Sequence, residues 1–366
     1  MVVKKQVLKV LIFILLFAAC FLVCQNVIAY DWNRNELLES RYKDYAAEED
    51  GAVDALFFGP STTYADVLPV VIYEESGITS YNMGTSNQIP YLSYYELLYL
   101  LKLHEPKVVV LDFSAIALDK DVDADQRRET IYRKMTDTMP DPEIKKAMID
   151  DITTRFTSQK KLDYYLTLLR YHDRWEELTS YDFDSRKVDA AYEEWMKGGT
   201  LNNHHAAYEM PENFFNAETN EAVPLYLEYY QKMVDLCKER GIDVLVFLAP
   251  KLALRPGDYM AARDFAKAND LKILSFASEK TFSAGRFDPA EDFYDTSHLN
   301  LKGQKKVSRL LAKALATYYE LPGHRGEEGF QKWDEYSKIY EERYAEMTAS
   351  MIESDGASDD AGAEDE

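Results

Sequence analysis

The chain has 366 residues, 64 of them acidic and 42 basic, with a formal net charge of −22. Such an acidic surface argues against nucleic acid as a partner, since nothing would neutralise phosphates, and against adhesion to anionic lipid beyond any anchor. Cys20 and Cys24 lie in one apolar segment and Cys237 has no thiol partner in the rest of the chain, while CxxC and His-Cys patterns are absent, so neither a disulfide framework nor a zinc site is expected, and no cofactor.

In chain order, Lys4, Lys5 and Lys9 precede an uncharged run from Val10 to Ala29. At 1.5 Å per residue this run is about long enough to cross a hydrocarbon core of ~30 Å. The lysines would hold the amino end in the cytoplasm. A cleaved signal peptide competes with this reading, because the most apolar part, Val10 to Val23, is short for a span. Phe17-Ala18-Ala19-Cys20 also looks loosely like a lipoprotein cleavage box, although apolar residues continue beyond it. An uncleaved anchor is preferred, and all three readings place the rest of the chain outside the cytoplasm.

Residues 30 to 49 read as a polar juxtamembrane helix. Strand Val53 to Phe58 then breaks at Gly59-Pro60 and delivers Ser61 to its carboxyl end. In open α/β sheets the crevice beyond the strand ends is where ligands bind, so Ser61 occupies a usual place for a nucleophile. Taken alone, Gly-Pro-Ser-Thr-Thr is equally an ordinary turn in which Ser61 or Thr62 caps a helix. Helix Tyr64 to Glu75, strand Ile78 to Met83, helix Tyr91 to Leu103 and strand Val108 to Phe113 follow. Such alternation predicts parallel strands joined by right-handed crossovers, a doubly wound sheet.

Between about residues 119 and 220 no strand is evident, and amphipathic helical stretches suggest an insertion. Within it Arg170, His172 and Arg174 are interleaved with tyrosines and a tryptophan. They read either as a helix surface with stacked aromatics or as a wall that contacts a sugar or anionic polymer. Adjacent His204 and His205 lack a carboxylate at ligand spacing and read as loop residues, not as a metal site. Alternation resumes with helix Ala222 to Arg240, strand Val244 to Leu248, helix Tyr259 to Ala268 and strand Lys272 to Phe276.

Asp295 and His298, three apart, precede the last core helix, near Lys302 to Tyr319. A histidine there can take a proton from a serine hydroxyl while the carboxylate fixes its tautomer. The bland alternative is a solvated aspartate and a capping histidine. A helical pattern from Glu328 to Ile352 carries Phe330, Trp333, Tyr336 and Tyr340 on one side, and the terminal SDGASDDAGAEDE should be disordered.

The Gly-Pro-Ser after the first strand, SYNMGTSNQ at residues 80 to 88 and DTSH at 295 to 298 together resemble the first, second and fifth blocks of the SGNH/GDSL hydrolases. Within that superfamily the chain is most similar to membrane-anchored extracytoplasmic proteins related to the teichoic-acid D-alanyl transfer protein and to polysaccharide O-acetylation proteins, over roughly residues 50 to 320. The resemblance implies a flavodoxin-like doubly wound α/β fold with a helical insertion and an N-terminal transmembrane helix. It also implies Ser61 as nucleophile, His298 as base and Asp295 as orienting carboxylate, with the Ser61 and Gly84 amides binding the oxyanion.

One departure stands out, because the third block's GxND has no counterpart where KVVVLDFSA ends in Asp112-Phe113-Ser114. Either the oxyanion hole has only two donors, or a side chain such as Asn87 or Gln88 supplies the third. The expected activity is therefore that of an esterase or O-acyltransferase acting on acyl esters of envelope polysaccharide or another acylated glycopolymer, with a membrane-bound acyltransferase as a candidate partner. The alternative from another class is a non-catalytic envelope assembly or scaffold protein that kept the fold.

Overall fold

Five short apolar runs assemble one parallel sheet in the computed structural model, which describes residues 2–32, 37–116, 125–156, 158–183, 192–211, 222–253, 256–350 and 352–354. The chain divides into two compact units, residues 1–40 with 123–192 and residues 41–122 with 193–366. The second unit holds the sheet. Its strands are β1 (Ala55–Phe58), β2 (Ser80–Asn82), β3 (Val108–Asp112), β4 (Asp243–Leu248) and β5 (Lys272–Ser275), in the order β2-β1-β3-β4-β5. Every pairing is parallel. Leu56, Phe57, Val109, Val110, Leu245 and Phe247 are fully or almost fully buried, which is why these strands read as continuous apolar runs and not as alternating ones.

The sheet is helix-linked, and the strands differ from the sequence expectation only at their ends. At the amino edge the reason is visible. The Asp54 carboxylate accepts from the Thr79 amide and hydroxyl and from Lys107 Nζ, so the residues just before β1, β2 and β3 are tied by a polar clamp. The helix expected from Tyr64 to Glu75 is two pieces, a single turn at Ser61–Tyr64 and a helix at Pro69–Ser76. Pro69 disfavours helical backbone at the preceding residue, and Leu68 is extended accordingly, with φ −106° and ψ 104°.

Leu68, Val70, Val71 and Tyr73 pack with Trp195, Met196, Trp333, Tyr336 and Tyr340, so the aromatic side of the helix Gln331–Ala349 closes one part of this unit. His204–Ala206 pairs in parallel with Ile352–Ser354, a strand pair that the sequence does not announce. The acidic tail from residue 355 onward lies outside the described residues.

The first unit joins the N-terminal helix Val2–Ile28 to the helices Asp125–Thr138, Pro142–Arg155, Lys161–Tyr165 and Thr167–Tyr171. Ile131, Tyr132, Met135, Ile144, Met148, Ile149 and Ile152 form its buried side. Asp141 caps the second of these helices by accepting from the amides of Glu143 and Ile144. The helix from Lys4 to Ile28 is long and apolar enough for a membrane anchor or a signal sequence.

Candidate active site

At the carboxyl end of β1 the chain has β2 on one side and β3 on the other, so the turn after Phe58 opens where successive connections leave in opposite directions. That is the usual place for a ligand crevice in an open parallel sheet. The turn is tightly packed. A Cβ on Gly59 would lie 2.2 Å from Thr63 Oγ1 and 2.6 Å from Asp112 Cβ, so only glycine fits. Pro60 is the residue before the helical turn and no side chain caps it, which removes the reading of Ser61 or Thr62 as a capping residue. Ser61 is the first helical residue, and its N–H is among those with no acceptor inside the helix.

The three hydroxyls that follow one another here have different partners. Thr62 and Thr63 both donate to Asp112 Oδ2, at 2.6 and 3.0 Å, while the other carboxylate oxygen accepts from the Ser114 amide at 2.8 Å. Burial pushes the Asp112 carboxyl above the ordinary aspartate range, against the opposing pull of Ser114, Thr62 and Thr63. Asp112 thus ties the serine turn to the end of β3. Ser61 Oγ instead lies 2.7 Å from His298 Nε2.

His298 is placed by a local loop and by long-range bonds. Phe293 and Leu299 form an antiparallel bridge, and Tyr294 N–H donates to the His298 carbonyl at 2.9 Å. Asp295 Oδ1 accepts the amides of Ser297 and His298 at 2.6 and 2.8 Å, and its Oδ2 lies 2.8 Å from His298 Nδ1. Burial alone would raise the Asp295 carboxyl, but the His298 ring and the two amides outweigh it and hold the group below its usual range. An ionised carboxylate only accepts, so Nδ1 carries the proton and the neutral ring presents Nε2 as acceptor for the Ser61 hydroxyl. The helix Leu301–Tyr319 is capped by Asn300, which accepts from Lys302 and Gly303, so His298 is not the cap.

Two residues that sequence reasoning missed hold this loop against the serine turn. Leu299 N–H donates to Asp66 Oδ1 at 2.8 Å, and Asn202 Nδ2 bridges the carbonyls of Ala65 and Leu299, each at 2.9 Å. Asp66 is fully buried, and its Oδ2 has no hydrogen-bond partner. Burial drives its carboxyl well above the usual range; the Leu299 amide opposes this, and the carboxylates of Asp112 and Asp295 add to it. Neither position falls in a recognisable motif, so only the contact reveals it.

No family model matches the chain, and no curated protein matches it. Among solved structures the chain is similar to the crystal structure of a "putative acylhydrolase" from Bacteroides fragilis NCTC 9343, at 12% identity and a TM-score of 0.37, covering 79% of this chain and 99% of that one.

The remaining sequence candidates fare differently. The Gly84 amide, expected to face an oxyanion, donates to Asn82 Oδ1 at 3.0 Å, and the Gly84 carbonyl accepts from Arg41 at 2.5 Å. Both ends of this residue are therefore engaged. Its glycine identity has a steric cause, since a Cβ would lie 2.6 Å from Thr63 Cβ and 2.9 Å from the Tyr64 nitrogen. Gln88 is buried, donating from Nε2 to Glu96 at 2.5 Å and accepting from the Gly59 amide at 3.4 Å. Asn87 is exposed and adopts a left-handed φ of 51°.

Arg170, His172 and Arg174 lie in the first unit. Arg170 pairs with Glu129 at 2.5 Å. Arg174 donates to the carbonyls of Ile28 and Ala29 and pairs with Asp182, while His172 Nδ1 lies 3.2 Å from the Leu169 carbonyl on an exposed surface. Both guanidinium groups thus have partners within the first unit.

Proposed function

We propose that this chain is a membrane-anchored, extracytoplasmic serine esterase or O-acyltransferase of the SGNH/GDSL type, acting on acyl esters of cell-envelope polysaccharide. The observation that carries the proposal is the relay from Ser61 Oγ to His298 Nε2 at 2.7 Å and from His298 Nδ1 to Asp295 at 2.8 Å. In support, the strand order is that of a flavodoxin-like winding, and the serine lies at its switch point.

In this mechanism His298 Nε2 takes the Ser61 hydroxyl proton as Oγ bonds to the acyl carbon. Asp295 steadies the resulting imidazolium and keeps the ring in the tautomer that accepts. The Ser61 N–H binds the oxyanion, and Asn87 is the proposed side-chain donor. Collapse breaks the ester C–O bond, and the proton on Nε2 passes to the departing alkoxide. The acyl group then rests on Ser61. Attack by water gives hydrolysis, and attack by a polymer hydroxyl gives transfer; His298 Nε2 receives the attacking proton, the bond from the acyl carbon to Ser61 Oγ breaks, and that proton passes to the departing Oγ. A membrane-bound acyltransferase would be the partner that supplies the acyl donor in the second case.

Retention of the anchor is supported by bonds inside the first unit. Cleavage near residue 30 would remove the Ile28 and Ala29 carbonyls that Arg174 engages and the Gln25 side chain that accepts from the Leu168 amide. The second reading, a scaffold that kept the fold, is favoured by the engagement of the Gly84 amide with Asn82, which leaves the oxyanion site one expected donor short.

Fluorophosphonate labelling of the detergent-solubilised full-length protein separates the two readings. The enzyme reading expects labelling of wild type that Ser61→Ala abolishes while the fold is kept. Unlabelled wild type, together with an envelope phenotype rescued equally by Ser61→Ala, would overturn it.

A further inference from the structure

The carboxyl end of the N-terminal helix is gripped by one segment, residues 161 to 183. Gln25 Oε1 accepts the Leu168 amide at 2.8 Å and the Thr167 hydroxyl at 3.2 Å, and the same hydroxyl also reaches the Gln25 carbonyl at 3.0 Å. Higher along the same helix, Arg174 donates to the Ile28 and Ala29 carbonyls at 2.8 and 2.7 Å and is held from behind by Asp182 at 2.9 Å. Beyond the helix, Tyr181 donates to Asp31 at 2.9 Å. The segment therefore climbs beside positions 25 to 31 in register, satisfying a glutamine and two terminal carbonyls that would otherwise meet lipid.

Among the exposed residues of this segment, large apolar side chains are interleaved with polar ones such as Asp173, Glu176 and Glu177. Leu162, Tyr165, Leu169, Trp175 and Phe183 are all exposed, Trp175 by 65% and Phe183 by 66%. Outside the N-terminal helix, the only other exposed large apolar side chains among the described residues are Tyr30, Met210, Tyr294, Tyr318 and Ile339. From Val10 to Gln25 the helix rises about 23 Å, and the hydrocarbon core is ~30 Å thick, so positions 25 to 31 fall at its far boundary. Tryptophan, tyrosine and aliphatic side chains held at that level match the headgroup–acyl boundary, where an apolar face buries by roughly 5–10 Å.

We propose that residues 161 to 183 form a second membrane contact, lying in the outer bilayer interface with Leu162, Tyr165, Leu169, Trp175 and Phe183 facing acyl chains. The contact is apolar in kind. Arg170 and Arg174 are paired with Glu129 and Asp182, and the segment also carries Asp163, Asp173, Glu176 and Glu177, so no net cationic surface is offered to anionic headgroups. Zwitterionic lipid should suffice. The proposal rests on the reading of the N-terminal helix as a retained anchor, and it adds an orientation, since two contacts at one boundary restrict rotation about the anchor.

The test uses full-length protein in phosphatidylcholine vesicles, with and without bromine on the upper acyl carbons, and compares tryptophan emission of wild type with Trp175→Phe. The expected result is a bromolipid-quenched component that Trp175→Phe removes, that persists in high salt, and that Phe183→Trp restores in the Trp175→Phe background. Flotation with the vesicles after an alkaline wash reports the anchor separately. Protein that floats but shows no quenching at either position overturns the interfacial contact and points to coverage by a membrane protein instead. Protein that fails to float overturns the anchor and the contact together.

Discussion

Asn82 Oδ1 accepts the Gly84 amide at 3.0 Å, while Asn82 Nδ2 donates to the carbonyls of Thr63 and Val67 at 2.8 and 3.0 Å. One fully buried side chain thus joins the end of β2 to the chain just past the serine turn. Replacing Asn82 with alanine takes the partner from the Gly84 amide and the Val67 carbonyl, while the Thr63 carbonyl keeps the Val67 amide at 3.0 Å, and each buried group so unpaired costs about 1–3 kcal/mol. Allowing for relaxation, Asn82→Ala should destabilise the protein by roughly 2–4 kcal/mol. A shift in the urea midpoint at constant m-value would measure it.

Asp295→Asn should leave Ser61 in place while favouring the wrong imidazole tautomer. The corresponding change in a well-studied serine protease lowers turnover by roughly 10⁴, and a similar loss is expected against a small acetyl ester. Combined with Ser61→Ala, the change should cost little more than Ser61→Ala alone, because the groups act as a unit. Additive losses in the double variant would show that Asp295 acts independently of the relay.

Neighbouring Asn87 and Gln88 should separate cleanly. Asn87 has a left-handed φ of 51°, so Asn87→Gly introduces no backbone strain and should leave stability nearly unchanged. If its side chain is an oxyanion donor, turnover should fall by about 10²–10³. Gln88→Ala removes a buried donor from Glu96 and an acceptor from Gly59, so it should instead lower stability by about 1–3 kcal/mol. Steady-state kinetics beside thermal unfolding on both variants decides the matter, and unchanged turnover in Asn87→Gly would remove Asn87 from the mechanism.

Asp66 and Asp295 should affect stability with opposite signs as pH changes. The Asp66 carboxyl is raised above 3.8 by burial, so folding favours its protonated form; stability falls as pH rises through the raised value. Asp66→Asn keeps an acceptor for the Leu299 amide and carries no charge at any pH, so it should gain on wild type as pH increases from about 4. Asp295 is lowered from 3.8, so its contribution is present above that value and is lost as pH falls through the folded value. Urea unfolding of wild type, Asp66→Asn and Asp295→Asn across the acidic range should give difference curves of opposite slope.

Local pattern made several features legible. The five strands are apolar runs punctuated by glycine, proline or polar residues, and each appears within two residues of where periodicity places it, because a strand buried on both faces leaves a continuous signal. Ser61, His298 and Asp295 stand out because each sits at the edge of a regular element, but only the resemblance to the SGNH/GDSL blocks joins the serine to the other two in advance of the structure. The N-terminal helix is equally plain, since length and composition alone define it.

What only the tertiary structure decided is which polar groups are already committed. Gly84, Gln88, Arg170 and Arg174 each carry the right chemistry for a site, yet their partners are Asn82 and Arg41, Glu96 and Gly59, Glu129, and the end of the N-terminal helix together with Asp182. Arg174 reaches back 146 positions to Ile28, and Asp66 reaches forward 233 to Leu299. A buried donor or acceptor must be satisfied by whatever packing brings within about 3 Å, and that depends on the folded path of the whole chain, not on neighbours in sequence.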